Sequence, residues 1–176
     1  MHAFRYEIFV RRLGWSLPLI DGVERDQFDN ESAVYFVTRD AMNNITACAR
    51  ILPTTVPYML QEVFPHLLGD NPAPNDPAVW ELSRLATNVR STGEGRILSF
   101  SRSTLELLES ILEYARGCRV KRIVLVITPA IERLLLRARF EVHRLGAPAR
   151  SADDGLIVAA YLEVPPMSSA KRNRFA

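Results

Sequence analysis

The sequence predicts one α/β domain in which helices cover both faces of a mixed β-sheet, an α/β/α sandwich. Its 176 residues are enough for one domain with a sizeable core. Strand-like and helix-like segments alternate in the second half, which is typical of this class. No repeat or linker divides the chain. We expect the domain to span residues 1–164 and a loosely ordered basic tail to occupy residues 165–176.

The first half predicts a helix followed by a β-hairpin. Apolar residues recur on one face of a helix over 4–14. The stretch 15–33 is acidic and is predicted to be irregular. Two strands, over 34–38 and 45–52, flank a turn at Asn43–Asn44 and predict the hairpin.

The middle of the chain predicts a helix, a loop and a strand. The helix covers 58–68, and Pro and Gly mark 69–78 as a surface loop. A strand over 79–87 follows, and a polar stretch through Gly93 and Gly95 comes after it.

The last third predicts strand–helix alternation. Ser103-x-x-Glu106 has the form of a capping box for a helix that ends at Gly117. The β-branched run 122–128 predicts a buried strand, and Thr128-Pro129 predicts the start of the next helix. The final strands are predicted over 140–144 and 156–164, as a hairpin.

Composition indicates a globular protein without a membrane span. Apolar residues make up 48% and charged residues 24% of the chain, which is ordinary for a soluble domain. No apolar run approaches a bilayer span, and the N-terminus lacks the layout of a signal peptide, so we expect a cytoplasmic location. Cys48 and Cys118 lack the spacing of a metal site, and we expect no bound metal.

Basic residues are concentrated in the second half although the net charge is only +2. They are Arg116, Arg119, Lys121, Arg122, Arg133, Arg137, Arg139, Arg144 and Arg150, and the tail adds Lys171, Arg172 and Arg174. They form either a solvated surface or a docking face for an acidic partner. No aromatic–basic interleaving supports nucleic-acid binding.

Three polar residues interrupt the apolar strand 80–87: Glu81, Ser83 and Arg84. In a regular strand Glu81 and Ser83 point to one face and Arg84 to the other, unless a bulge redirects it. Two interpretations remain open. Glu81 and Arg84 form structural ion pairs, or Glu81 accepts a proton in a pocket.

The acidic segment around Asp26 and Asp29 also has two interpretations. With Phe28 and Trp15 it could receive an ammonium or sulfonium cation, or it is a solvated loop. Arg50 could bind a substrate carboxylate bidentately or pair with these aspartates, and Arg5 has the same ambiguity.

Four motifs follow one another along the chain. They are Arg5-x-x-x-Phe9-x-x-x-Leu13-Gly14-Trp15, Glu24-x-Asp26-Gln27-Phe28-Asp29, the segment Ala49-Arg50-Ile51-Leu52-Pro53-Thr54-Thr55-x-Pro57-Tyr58-Met59-Leu60, and Trp80-Glu81-Leu82-Ser83-Arg84. Together these motifs resemble the LuxI-type acyl-homoserine lactone synthases of bacterial quorum sensing. They occur in the family's order and at its approximate spacing, and the resemblance covers nearly the whole chain.

The resemblance implies a fold like that of the GCN5-related N-acetyltransferases (GNAT). The family transfers an acyl group from acyl carrier protein, or sometimes coenzyme A, to S-adenosylmethionine (SAM). The products are an N-acyl-homoserine lactone, the thiol carrier and methylthioadenosine (MTA). SAM is therefore a co-substrate, and no cofactor is expected.

The resemblance also implies roles for individual residues. Glu81 is the candidate base, supported by Ser83 and Arg84. The candidate SAM-binding residues are Arg5, Phe9, Trp15, Asp26, Asp29 and Arg50. The candidate acyl pocket comprises Val124, Val126, Thr128, Ile131 and Leu135. An acidic carrier protein would dock on Arg116, Arg119, Lys121 and Arg122, or on Arg133, Arg137 and Arg139.

Two features depart from the family pattern. Members usually carry about one further strand before the position of Arg5, whereas this chain begins four residues before it, so we expect that strand to be missing. Leu85 stands where many members have Phe. Two alternatives are an N-acyltransferase that uses another amine and a non-catalytic homologue.

Overall fold

The computed structural model describes residues 1–87, 100–151 and 155–166. The first half contains α1 (His2–Arg5), which continues as a π-helix (Tyr6–Arg12), the short strands β1 (Leu19–Ile20) and β2 (Val23–Glu24), and the longer strands β3 (Val34–Arg39) and β4 (Ile45–Pro53). The predicted helix and the predicted β3–β4 hairpin are confirmed. The stretch predicted to be irregular also contains a two-stranded hairpin, β1–β2.

The second half alternates strands with helices. The elements are α2 (Met59–Glu62), a 3₁₀-helix (Pro65–Leu68), β5 (Val79–Thr87), α3 (Arg102–Gly117), β6 (Arg122–Ile127), α4 (Pro129–Arg137), β7 (Val142–Arg144), β8 (Ala149–Ser151) and β9 (Gly155–Glu163). The polar stretch with Gly93 and Gly95 lies outside the described residues, as does the basic tail beyond Pro166.

Seven of the described strands form one mixed sheet. Their order is β3-β4-β5-β6-β9-β7, and β8 pairs with β9. The β5–β6 pair is parallel, whereas the other described pairs are antiparallel. Because α3 connects β5 to the parallel β6, this unit is a strand–helix–strand crossover. The predicted mixed α/β sheet with helices on both faces is confirmed.

The first face of the sheet packs against α3 and α4. Leu107, Leu108 and Ile111 of α3 and Leu135 of α4 are buried there with Ile51, Leu82, Ile123 and Leu125 from the strands. Full burial of one such side chain stabilises the fold by about 1.5–3 kcal/mol. This cluster forms the main hydrophobic core.

The second face carries two smaller apolar clusters. Leu60 of α2 and Leu67 of the 3₁₀-helix pack on Val124 and Ala159. The π-helix packs Ile8 and Phe9 on Cys48 of β4 and Ala86 of β5, on the same face of the sheet. The site described below lies on this second face, between the two clusters.

Two local expectations are wrong. The helix predicted over 58–68 divides in two, because Pro65 disfavours helical geometry at Phe64 and starts a 3₁₀ turn. The cap of α3 is Ser101, whose hydroxyl accepts the Thr104 N–H at 3.1 Å, and Ser103 lies inside the helix. The expected Thr128 cap of α4 is confirmed, since its hydroxyl accepts the Ile131 N–H.

None of the helices in the described part of the chain has the length and apolar composition needed to cross a bilayer.

Candidate active site

A β-bulge at Arg84 determines which side chains meet. Cys48 pairs with Ala86 and Arg50 with Ser83, so β5 contains one extra residue relative to β4. The extra residue is accommodated at Arg84, whose backbone adopts the left-handed conformation with φ +52°. Regular alternation would place Arg84 opposite Glu81, but the bulge turns it toward the face that carries Glu81 and Ser83.

Three arginines and three carboxylates form a buried charge cluster on this face. Arg5 lies on α1, Arg50 on β4 and Arg84 on β5, whereas Glu24 lies on β2 and Asp26 and Asp29 lie in the loop that follows it. We call these six residues the charge cluster. Arg5 Nε donates to Glu24, and its Nη1 and Nη2 donate to Asp29 at 2.6 and 3.0 Å.

The other two arginines complete the charge cluster. Arg50 Nη1 donates to Asp26 at 2.6 Å and to Asp29 at 2.9 Å, while its Nε donates to Ser83 Oγ at 3.1 Å. Arg84 Nε lies 3.0 Å from Glu24, and its Nη2 lies 2.7 Å from Asp26. Each guanidinium therefore has carboxylate partners within the cluster.

Burial and pairing perturb the ionisation of these groups. Burial would raise the pKa of Asp29, but hydrogen bonds from Arg5 and Tyr35 outweigh it and hold the pKa below its usual value. Burial would likewise lower the pKa of Arg5, yet its bonds to Asp29 and Glu24 raise it overall. Burial and the 2.6 Å bond to Asp29 raise the pKa of Tyr35 to about 12. Asp29 and Arg5 are thus held in their charged forms at neutral pH, and Tyr35 stays neutral.

This arrangement decides the two questions that the sequence left open for the acidic segment. Asp26 and Asp29 do not form a solvated loop, because their side chains are only 4% and 1% exposed. Their carboxylates bind Arg5, Arg50 and Arg84. The alternative in which Arg50 pairs with these aspartates is the one that the structure contains.

Aromatic rings cover two of the guanidinium groups. Phe9 and Trp15 stack with ring centroids 4.9 Å apart at 8°, and Arg84 lies 5.9 Å from the centre of the Phe9 ring. Arg50 lies 5.6 Å from the centre of the Phe28 ring. Such contacts stabilise each cation by about 0.5–2 kcal/mol. Trp15 is half-buried and is the more exposed ring of its stack.

Glu81 lies next to the charge cluster but has different partners. Its side chain accepts the backbone N–H groups of Met59 at 3.0 Å and Leu60 at 2.7 Å, at the start of α2. Among residues 1–87, 100–151 and 155–166, no cationic side chain forms an ion pair with Glu81, which is 1% exposed. Burial outweighs these hydrogen bonds and the attraction of Arg50 and Arg84, and raises the pKa of Glu81.

The strands β5 and β6 diverge beside Glu81. Their register pairs begin at Val79 with Arg122 and end at Glu81 with Val124, although β5 continues to Thr87 and β6 to Ile127. Beyond Glu81 the two strand edges therefore face each other across a wedge. An extended substrate that enters this wedge could meet backbone N–H and C=O groups along both strands.

The structure does not bring the five predicted acyl-pocket residues together. Val124 and Val126 lie on the second face with Glu81. Ile131 and Leu135 pack in the main core on the first face. The Thr128 hydroxyl caps α4. Strand alternation explains the division, because α4 packs on the face that carries Ile123 and Leu125.

The first predicted basic group lies at the start of β6, whereas the second runs along α4 from the end of β6 back toward its start, where Glu141 bonds Glu163, the partner of Arg122. Arg116 donates to the Pro165 carbonyl at 2.7 Å, and Arg122 pairs with Glu163 at 3.1 Å, so two residues of the first group have intramolecular partners. Arg119 and Lys121 of that group are exposed. The second group, Arg133, Arg137 and Arg139, is exposed on or just after α4.

Sequence reasoning missed three residues of the site: Glu24, Tyr35 and Met59. Glu24 bridges Arg5 and Arg84, and Tyr35 donates to Asp29. Arg84 Nη1 donates to the Met59 sulfur at 3.2 Å. Glu24 and Met59 belong to the quoted motifs and could have been found there, whereas the position of Tyr35 on β3 gave no signal.

In the ranges described, no group of three His, Cys, Asp or Glu side chains is placed to hold a metal ion. The charge cluster contains enough carboxylates for a metal site, but the arginines occupy them. What the arrangement offers chemically is a buried carboxyl at a strand wedge, beside an aromatic stack. The mixed sheet and the wedge agree with the GNAT-like α/β fold that the sequence predicts.

Comparison with known proteins identifies the family. A family model described as "Autoinducer synthase" matches residues 1–173, and the chain belongs to this family. An acyl-homoserine-lactone synthase of Acinetobacter nosocomialis is 39% identical over 150 residues, covering 83% of this chain and 81% of that protein. A synthase of the same name from Ralstonia nicotianae is 38% identical over 169 residues, covering 95% and 82%.

Solved structures agree with this assignment. The acyl-homoserine lactone synthase LasI superposes with a TM-score of 0.81 at 35% identity, over 94% of this chain and 81% of that one. TofI, in a ternary complex with an inhibitor and MTA, gives 0.79 at 39% identity, over 93% and 82%. BjaI, a CoA-dependent synthase solved with SAM and isopentyl-CoA, gives 0.77 at 29% identity, over 93% and 74%. The predictions of family and fold are thereby confirmed.

Proposed function

We propose that the protein synthesises an N-acyl-homoserine lactone from SAM and an acyl thioester. Membership of the autoinducer synthase family supports this proposal, and the buried Glu81 beside the strand wedge carries it structurally. The wedge would hold the thioester, and Glu81 would receive the proton of the attacking amine.

The amine of SAM must be neutral before it can attack the thioester carbonyl. Glu81 accepts its proton directly or through one water, and Ser83 and Arg84 hold the surroundings in place. Ser83 acts through its hydrogen bond with Arg50, and Arg84 through Glu24 and Asp26. Backbone N–H groups along the wedge stabilise the oxyanion that forms during the attack.

Lactone formation then requires little beyond orientation. The carboxylate of the acylated substrate attacks its own γ-carbon, and the sulfonium leaves as the neutral thioether MTA. Because both groups belong to one molecule, proximity supplies most of the acceleration. The Phe9–Trp15 stack suits the sulfonium, since aromatic faces attract cations.

The charge cluster supports SAM binding indirectly. Arg5 and Arg50 are fully buried, and their donors are directed at Asp26, Asp29 and Glu24. We therefore assign Arg5, Arg50, Asp26 and Asp29 the role of fixing Phe9, Phe28 and the β5 bulge around the substrate. This role differs from direct contact of the aspartates with the sulfonium.

The acyl chain would enter the wedge between β5 and β6. Val124 and Val126 lie on the face of Glu81 at this point and are the candidates for its first contacts. Thr128, Ile131 and Leu135 influence the pocket only by holding α4 against the sheet.

An acidic acyl carrier protein is the proposed donor, with acyl-CoA as the alternative. Of the exposed basic residues, Arg133 fits best, because α4 begins just after the end of β6 at which the wedge opens and Arg133 lies about one turn from that start, whereas Arg137 and Arg139 lie further along, toward the closed end. The group that includes Arg119 and Lys121 lies at the closed end. Electrostatic docking beside the wedge would raise the association rate and lower KM.

The test of function is incubation with SAM and a panel of acyl donors, with the lactone and MTA measured by mass spectrometry. We expect both products from the wild type, and a loss of at least about 100-fold in kcat for Glu81→Gln without unfolding. Acyl transfer without MTA would indicate another amine donor, and no product with any donor would contradict the proposal.

The test of the docking face compares two charge reversals. Arg133→Glu should raise KM for acyl carrier protein several-fold and leave KM for SAM unchanged. Lys121→Glu, at the closed end, is the matched control and should change neither. Equal effects of both variants, or an unchanged KM for acyl carrier protein in Arg133→Glu, would contradict docking on α4.

A further inference from the structure

Glu81 differs from the other buried carboxylates of the site because no cationic side chain in the described part of the chain forms an ion pair with it. In the charge cluster, the three guanidinium groups form ion pairs with the carboxylates Glu24, Asp26 and Asp29, and their N···O distances do not exceed 3.9 Å. The formal charges of these six groups cancel. Glu81 is the additional carboxyl, and both hydrogen bonds to it come from neutral backbone N–H groups.

The arginines nearest to Glu81 are committed elsewhere. Arg50 directs its donors to Asp26, Asp29 and Ser83. Arg84 directs its donors to Glu24, Asp26 and the Met59 sulfur. Their fields at Glu81 are therefore largely offset by the carboxylates that they bind.

Within residues 1–87, 100–151 and 155–166, the remaining elements around Glu81 contribute no cationic partner to it. On β6 the residue paired with Glu81 is the apolar Val124. Tyr58, immediately before α2, is fully buried, and this burial raises its pKa, so it stays neutral. A buried carboxyl without a counter-charge favours its protonated form. This agrees with the raised pKa of Glu81.

We infer that SAM supplies the counter-charge that no described residue gives Glu81, so that substrate binding ionises this carboxyl and releases one proton to solvent. The inference rests on the proposed function. SAM carries a sulfonium, an ammonium and a carboxylate, and therefore one net positive charge. That charge matches the one negative charge of an ionised Glu81 added to the balanced cluster.

The proton balance is the same for either arrangement of the complex. In the free protein burial favours a protonated Glu81, and free SAM below pH 7 carries an ammonium. In the complex, either a Glu81 carboxylate faces the ammonium, or the proton has moved and a Glu81 carboxyl faces the neutral amine. Both arrangements contain one proton fewer than the separate partners. The general base is thus generated only when its substrate is present.

The test is isothermal titration calorimetry of the wild type with SAM in buffers of different ionisation enthalpy, between pH 5.5 and 7. The number of protons released should approach one at the acid end of this range. By linkage, SAM affinity should rise with pH, at most about tenfold per pH unit below the pKa of Glu81 in the free protein.

A ligand control and two variants isolate the group that titrates. MTA is neutral, so its binding should release close to no protons from the wild type. Glu81→Gln should bind SAM without proton release, whereas Glu163→Gln, in the partly exposed pair with Arg122, should behave as the wild type.

The outcomes distinguish the inference from the function on which it rests. SAM binding without proton release would overturn the inference and leave the synthase function standing. Equal release with MTA, or with Glu81→Gln, would assign the proton to another group and also overturn it. Absence of SAM binding by the wild type would contradict both. If Glu81→Gln does not fold, the comparison of SAM with MTA on the wild type decides the question.

Discussion

Replacement of Arg5 by Met tests whether paired charges hold the site together. Arg5 is fully buried and donates to Glu24 and twice to Asp29. Met fills much of the same space but leaves one carboxylate charge in excess. Removal of one partner from a buried ion pair costs about 3–5 kcal/mol. For a chain of this length, that loss corresponds to a fall in Tm of roughly 6–20 °C.

Asp29→Asn provides the second arm of a double-mutant cycle. The single variant leaves Arg5 without its bidentate partner and should cost a similar amount. In the double variant Arg5→Met/Asp29→Asn, the two remaining arginines face two carboxylates, Glu24 and Asp26. The loss in the double variant should therefore be at least about 1 kcal/mol smaller than the sum of the two single losses.

Urea unfolding, followed by circular dichroism and tryptophan fluorescence, measures these free energies if the two transitions coincide. The matched control is Arg11→Met, because Arg11 pairs with Glu7 at 3.3 Å while their side chains are 65% and 53% exposed. That variant should lose less than about 1 kcal/mol. An equally small loss for Arg5→Met, or additive losses in the cycle, would refute the reasoning.

Three further predictions concern packing, pH and the aromatic stack. Gly146→Ala should destabilise the protein by about 1–3 kcal/mol, because a Cβ there would lie 2.1 Å from the Leu67 carbonyl oxygen. The control is Gly117→Ala, whose Cβ would meet no atom within 4 Å and should not destabilise the protein. Equal unfolding midpoints of the two variants would contradict this prediction. Because the folded-state pKa of Asp29 is depressed, its contribution to stability should be complete above about pH 4 and lost as pH falls below that value, and unfolding midpoints of Asp29→Asn should show a weaker acid dependence. Trp15→Leu should weaken SAM binding roughly 2–30-fold in calorimetry with little change in stability, and unchanged affinity would show that the stack does not face the sulfonium.

Strand periodicity predicted much of the fold but not the position of Arg84. Alternation correctly places Glu81 and Ser83 on one face. It places Arg84 on the opposite face, and only the bulge brings Arg84 to Glu24 and Asp26. The bulge is a tertiary feature, because carboxylates far away in the sequence stabilise the left-handed residue. The nine residues of this strand therefore do not encode the bulge by themselves.

The family motifs identified the charged residues but not their mutual pairing. Residue type and order indicated that Asp26 and Arg50 belong to one site. They did not decide whether Arg50 binds a substrate carboxylate or pairs with the aspartates. The register of β4 against β5, together with the β1–β2 hairpin, selects the pairing. The five residues predicted for the acyl pocket are divided for a simpler reason. Val124 and Val126 of β6 lie on one face of the sheet, whereas α4, which follows directly in sequence, packs on the other face.

The central claim is that one enzyme couples acyl transfer to lactone formation at Glu81. Its most direct test is the stoichiometry of a single reaction, in which free thiol, MTA and N-acyl-homoserine lactone are measured together over time. We predict equal amounts of all three from the wild type, and a parallel fall of all three for Glu81→Gln in a protein that remains folded. Thiol release without MTA, or undiminished turnover of Glu81→Gln, would contradict the account.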